Sequence, residues 1–275
     1  MNDARDSHTA SVLSNGNVLV TGGFNSNGYL KTSELYNPST GLWTYTGQIS
    51  VPHEDHTASI LSNGKVLITG AMGGRNTAPL NTAELYDPSI NIWSLTNNMN
   101  YAREDHTVSL LANGKVLITG GMNRTRLNTA EIYDPSTNAW TITGNLNFAR
   151  SHHTASVLSN GKVLVAGGYN DSTPVNSAEL YDPSTGIWTL VGNMNSIRTA
   201  HAASILANGR VLVTGGYSNT HLTTTDQYDP LTGSWTLIEN MNVARIFHTA
   251  SVLANGKILV TGGKNSVFSK SSELY

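Results

Sequence analysis

The chain has 275 residues, of which only 12% are charged, and a formal net charge of −2. That length can bury a core of on the order of 70–75% of the unfolded surface in one or two domains, while the near-neutral charge excludes the basic stripe that a general nucleic-acid binder needs. Cysteine is absent, which removes disulfides, thiolate metal sites and cysteine nucleophiles; no apolar run reaches the roughly 18–20 residues of a membrane span, and the polar stretch Met1 to Ser11 does not read as a signal peptide.

From the N-terminus, the segment from His8 to Leu13 (His-Thr-Ala-Ser-Val-Leu) reads as a first strand. Asn15-Gly16 turns it into a second strand over Val18 to Thr21, closed by Gly22-Gly23. Asn-Gly between two apolar runs is the strongest short hairpin signal, because both central residues need positive φ. A third strand ends in Glu34-Leu35-Tyr36. The turn Asn37-Pro-Ser-Thr-Gly41, with Pro presetting φ and Gly tolerating a left-handed backbone, leads to a fourth strand at Trp43-Thr44.

The same series then returns five times. His8 is followed in register by His56, His106, His153, His201 and His248, at spacings of 48, 50, 47, 48 and 47 residues. Asn-Gly recurs seven residues after each histidine, and Gly-Gly closes every second strand except at Gly70-Ala71. The third strands end at Tyr86, Tyr133, Tyr181, Tyr228 and Tyr275. All five tryptophans (Trp43, Trp93, Trp140, Trp188, Trp235) open fourth strands. No segment carries a helical period. Four short strands per repeat, with periodic glycine and aromatic residues, describe a propeller blade. The repeats run over about 1–48, 49–98, 99–145, 146–193, 194–240 and 241–275, taken as a single domain over 1–275.

Gly-Gly ending the second strand, Tyr in the third and Trp opening the fourth, in that order, resemble the Kelch motif across the whole chain. The resemblance implies an all-β, six-bladed Kelch-type β-propeller of four-stranded antiparallel blades around a central channel, the first strand innermost. It also implies functions that range from partner recognition to the propeller of galactose oxidase and its relatives, so function has to be argued from the site. The copper-radical oxidase type needs a cysteine cross-linked to tyrosine and is excluded. The turn Asp-Pro-Ser-Thr-Gly-x-Trp is similar to a sialidase Asp box only in being a hairpin.

In an up-and-down blade, the turns joining strands one to two and three to four share one end, here called the turn end. The segments joining strands two to three, and strand four to the next blade, share the other, the loop end. The turns are nearly uniform, whereas the loop-end segments differ in every blade. Variable residues on one end of a uniform scaffold are the candidates for recognition. Ten of the sixteen Lys and Arg are periodic, and the other six (Lys31, Arg75, Arg124, Arg126, Lys264, Lys270) all lie in segments joining strands two and three. Asp3, Asp6, Glu54, Asp55, Glu104 and Asp105 precede the first strands of blades one to three. Ser151-His152, Thr199-Ala200 and Ile246-Phe247 hold the matching positions in blades four to six. One half of the loop-end mouth is thus expected to be acidic and the other neutral to apolar, with basic loops further out. The acids serve either solubility or a pocket for a cation, a basic peptide or a polyol.

Chemistry is harder to find. Six histidines in one register suggest a metal ring, but a residue in every blade is more simply architectural, packing between blades and bonding a backbone group. Arg5, Arg103, Arg150, Arg198 and Arg245 with Glu34, Glu84, Glu131, Glu179, Asp226 and Glu273 read as a repeated ion pair within or between blades, with His53 replacing Arg in blade two. Glu-Asp-His at Glu54 to His56 and at Glu104 to His106 cannot converge on one ion unless the segment is bent. No motif for a catalytic group, cofactor or metal stands out. Asn123-Arg-Thr and Asn170-Asp-Ser are formal glycosylation sequons, and the Asn-, Ser- and Thr-rich composition leans slightly towards an exported or surface protein.

The function expected is a non-catalytic scaffold recognising a protein, peptide or glycan, with no nucleic acid and no membrane. The alternative is a carbohydrate- or polyol-active enzyme, an isomerase, lyase or oxidase-like protein, using the same mouth. The ligand is placed across Asp6, Glu54, Asp55, Glu104, Asp105, His152 and Phe247, with Arg75, Arg124, Arg126, Tyr169, Tyr217 and His221 as the rim. Opposite charge would steer a cationic partner to the acidic half. The sixth repeat stops at its third strand, so a three-stranded blade with an edge at Ser271 to Tyr275 open to pairing with another chain is expected.

Overall fold

The second strand of each repeat is apolar on both faces, and its alternation sets the architecture. The computed structural model describes residues 1–72, 74 and 77–275. In it, Val66 and Ile68 pack with Leu13 and Leu19 of the preceding blade and with Ile49 of the segment joining the two, while Leu67 joins Leu61, Met99, Val116 and Ile118 against the following one. Period-two geometry thus splits one apolar run between two interfaces, each fully buried aliphatic side chain being worth roughly 2 kcal/mol. Val211 and Val213 against Leu212 repeat the division in blade five. The core lies between blades rather than within any one of them.

The chain divides into two compact units, residues 1–125 with 129–143 and residues 126–128 with 144–275. The first unit carries three four-stranded antiparallel sheets. Blade one comprises Thr9–Val12, Val18–Thr21, Ser33–Asn37 and Leu42–Tyr45. Blade three comprises Thr107–Leu110, Val116–Thr119, Ala130–Asp134 and Ala139–Ile142. The second unit carries two four-stranded sheets and one of three strands, Thr249–Val252, Ile258–Thr261 and Ser272–Leu274. Within each unit the first strands of consecutive blades lie side by side. Tyr of the third strand faces Trp of the fourth in every complete blade, with ring centroids 4.8–5.1 Å apart.

Blade two departs from its siblings where its sequence does. The second glycine of the pair elsewhere has positive φ, and at Gly168 an added Cβ would stand 2.6 Å from the Ser151 carbonyl oxygen. Ala71 cannot take that path cheaply. The second strand instead runs on over Val66–Met72 and pairs through a register shift with Pro79–Asp87.

The periodic histidines are architectural: backbone groups bond His8, His56, His201 and His248, as expected, and a side chain across the interface is a second partner. His56 Nε2 lies 2.8 Å from the Thr9 hydroxyl of the preceding blade, His106 Nε2 2.8 Å from Thr57, and His201 Nε2 3.0 Å from Thr154. The Nε2 bond goes to a threonine side chain, because the first-strand hydroxyl points into the same interface.

Candidate functional site

The loop end is held by a buried clamp that the sequence repeats. In blade four, Arg150 donates to the Gly167 and Ser177 carbonyl oxygens at 2.7 and 3.0 Å, to the Ser177 hydroxyl and to Glu179 at 2.9 Å. Both side chains are fully buried. Glu179 in turn accepts the backbone N–H groups of Asn147 and Phe148. The pair therefore lies within one blade and ties the incoming segment to the end of the second strand. Arg5–Glu34, Arg103–Glu131, Arg198–Asp226 and Arg245–Glu273 repeat it.

Beyond the clamp, each incoming segment makes a two-way backbone bridge to the residue after the glycine pair. Ser151 bridges Tyr169, Thr199 bridges Tyr217 and Ile246 bridges Lys264. The next residue is left-handed in all six blades: Ser7, Asp55, Asp105, His152, Ala200 and Phe247 have φ between 48° and 53°. A non-glycine residue there costs about 1–2 kcal/mol, and every blade accepts the cost in the same place. The bend that the two Glu-Asp-His segments needed is thus present. Even so, no three His, Asp or Glu among the described residues converge as a metal site.

In the second unit this geometry builds a cavity of about 640 Å³. Every residue lining it comes from a loop-end segment. Six of the expected site residues line it together: Arg126, His152, Tyr169, Tyr217, His221 and Phe247. The rings form edge-on pairs, His152 with Phe247 at 5.9 Å and Tyr217 with His221 at 5.5 Å. Arg126 lies over the Tyr169 ring at 4.9 Å and Lys264 over Phe247 at 5.9 Å, contacts that hold rings and cations in place. Arg126 also approaches Asp171, at 3.7 Å, and its backbone N–H donates to the same carboxylate at 3.0 Å. The expectation that basic loops lie further out is corrected here, since Arg126 and Lys264 are drawn onto the aromatic lining.

Sequence reasoning did not select Asp171, Thr199, Ala200, Ile246, Lys264, Asn265 and Ser266, which complete the lining. Thr199, Ala200, Ile246 and Lys264 stand in the same repeat registers as Ser151, His152 and Tyr169, and that register was a signal for them. Asp171, Asn265 and Ser266 lie in loops of irregular length, with no register to find them by.

The acids belong to the first unit. Glu104 is buried, at 7% exposure. Burial, followed by the charges of Asp105, Asp55 and Glu54, pushes its carboxyl up to about 7. Glu54 is raised for the same reasons, burial first and then Asp55 and Asp6. No Lys or Arg pairs with Asp6, Glu54, Asp55 or Glu104 among the described residues. Asp3 leaves this group: it pairs with Arg5 at 3.4 Å and accepts from Thr32 and Tyr45. Arg124 is exposed, with φ of 66°, and Arg75 lies outside the described residues. In the sequon at Asn170, the side-chain oxygen accepts from the Ser172 and Thr173 N–H groups. A smaller cavity of about 310 Å³ at the turn end of the first unit is built from Asn-Gly-Lys and Asp-Pro-Ser turns that recur from blade to blade.

A family description, the KLHDC2/KLHL20/DRC7 Kelch-repeats domain, matches residues 1–145 and 96–263. The chain belongs to this Kelch-repeat family; its own fold is an all-β propeller of six blades, the last with three strands. Proteins of the family typically serve as protein-interaction scaffolds and are generally non-catalytic. No curated protein matches the chain.

Proposed function

We propose that this protein is a recognition module that docks a segment of a partner protein on its loop end, with an apolar or aromatic side chain of the partner anchored among Tyr169, Tyr217, His221 and Phe247. The cavity of about 640 Å³ carries the reading: it is of ligand-pocket size, ringed by aromatics and polar groups. Aromatic pockets of this kind concentrate binding energy in a few contacts. Selection of a displayed peptide library on the immobilised protein, beside a glycan array, tests it. The enriched peptides should lose about tenfold or more in affinity on Tyr217→Ala or Phe247→Ala, while Lys162→Ala at the turn end leaves binding unchanged. Enrichment of glycans alone, or peptides indifferent to both cavity variants, would contradict it.

One observation favours the carbohydrate-active alternative. A glutamate raised to about 7, as Glu104 is, has the profile of a general acid. Turnover of a glycan or polyol by the wild-type protein, abolished by Glu104→Gln, would establish that reading in place of the first.

A further inference from the structure

The first unit carries a second feature of the loop end, separate in its residues from the aromatic cavity. Glu104 Oε2 is buried and has no hydrogen-bond partner among the described residues. A buried carboxylate oxygen without a donor is costly, on the order of several kcal/mol when charged, and native structures rarely keep one without use. The carboxyl faces like charges, Asp105, Asp55 and Glu54, and Glu54 in turn feels Asp55 and Asp6. The backbone that presents these groups is fixed. Glu104 exchanges hydrogen bonds with Met122 at 2.8 and 3.1 Å, Glu54 does so with Met72, and Asp55 and Asp105 stand at the left-handed bends.

Such a group calls for a ligand with positive charge and several donors. The carboxylates do not converge as a metal cage. A guanidinium suits them better: it is always charged, weakly hydrated, and presents five N–H donors in a planar fork. We infer that the acidic end of the first unit is a receptor for an arginine side chain of the partner protein, with Glu104 as the buried acceptor and Glu54, Asp55, Asp105 and Asp6 surrounding the charge. This rests on the reading of the loop end as the recognition face, but on none of the cavity residues.

An incoming guanidinium binds the ionised carboxylate, so binding expels the proton from Glu104. Asp105, Asp55 and Glu54 are the charged groups that face it. Affinity should rise with pH through about 7 and be roughly tenfold weaker at pH 6 than at pH 8.

The test uses acetyl-Gly-Arg-Gly-amide, its citrulline counterpart and calcium chloride as probes, followed by amide NMR shifts at Glu104, Asp105 and Met122. The arginine peptide should shift these resonances saturably, with an affinity about tenfold or more above that of citrulline. Glu104→Gln should erase the preference and its pH dependence. Asp55→Asn with Asp105→Asn, which leaves the buried acceptor in place, should weaken binding several-fold. Thermal melts confirm that each variant is folded. Equal binding of citrulline, saturable binding of calcium in preference to the peptide, or full affinity in folded Glu104→Gln would overturn the inference. If arginine binding fails while selected peptides still depend on Phe247, only this inference falls. Loss of both removes the recognition face as well.

Discussion

At the residue scale, the six repeats act as internal controls on one another, and blade two is the informative exception. Where the others place a buried arginine, it places His53, whose Nδ1 donates to the Gly70 carbonyl oxygen at 2.8 Å. Burial pushes that imidazole down to about 4, so it is neutral at pH 7 and gives Glu84, 3.8 Å away, no positive charge. In every other blade the arginine also bonds the hydroxyl of the threonine or serine that immediately precedes the third strand. The corresponding Thr82 hydroxyl is buried without a partner. His53→Arg should therefore complete the clamp, reaching Gly70, Thr82 and Glu84 together. The gain expected is about 1–2 kcal/mol, read as a melting midpoint raised by roughly 2–6 °C. A lowered midpoint would mean that Ser50, which donates to Glu84 through both its N–H and its hydroxyl, already satisfies the carboxylate and leaves no room for the longer side chain. The exchange at position 53 was legible in the sequence. Its consequence was not, because Thr82 shows no anomaly of its own until the two strands are paired.

At the element scale, the strands and their order could be read in advance because four independent registers (His, Asn-Gly, Gly-Gly, Tyr-Trp) agree. Turn chemistry fixed each hairpin, and period-two alternation fixed which face met which neighbour. The conformation that the glycine pair adopts and the left-handed residue before each histidine were harder to see. The latter is occupied by Ser, Asp, His, Ala and Phe, so composition gives no hint of a backbone bend there.

The histidine at each blade interface has a measurable consequence. Burial holds His56 down to about 3 and His248 to about 4, and holds His106 and His201 well below the usual imidazole range. A base whose folded value is depressed contributes stability that is full above its unfolded value of 6.5 and is lost as pH falls towards the folded value. Each such ring costs up to about 1.4 kcal/mol per pH unit in that window. The raised carboxyls of Glu104, up to about 7, and of Glu54 act in the opposite sense above 4.5, but they are two groups against the several buried histidines. Denaturant midpoints measured from pH 7.5 to pH 4.5 should fall steeply below 6.5, with imidazole resonances staying neutral while the protein is folded. A flat profile would show that these rings are not sealed between blades.

At the scale of the whole molecule, repetition separates scaffold from function. What the blades repeat is the turns, the histidine register and, in all but blade two, the arginine clamp; what differs lies at the loop end. That much followed from comparing six repeats within one chain. It also picked out six of the residues that line the cavity in the second unit, because Tyr169 and Tyr217 hold one register and His152 and Phe247 another. The placement of Arg126 and Lys264 over aromatic rings was not readable, since it depends on where irregular loops fold back. Glu104 and Asp105 looked alike as neighbouring acids. What separates them is the left-handed bend at Asp105, beside which the glutamate is buried while the aspartate is half-buried.

The central claim, recognition at the loop end, is tested most directly by hydrogen exchange of the protein alone and saturated with a selected peptide. Slowed exchange should map to 151–152, 199–200, 217–221, 246–247 and 264–266. The six Asn-Gly turns should exchange as in the free protein. Protection confined to those turns, with the loop-end segments unchanged, would contradict the account.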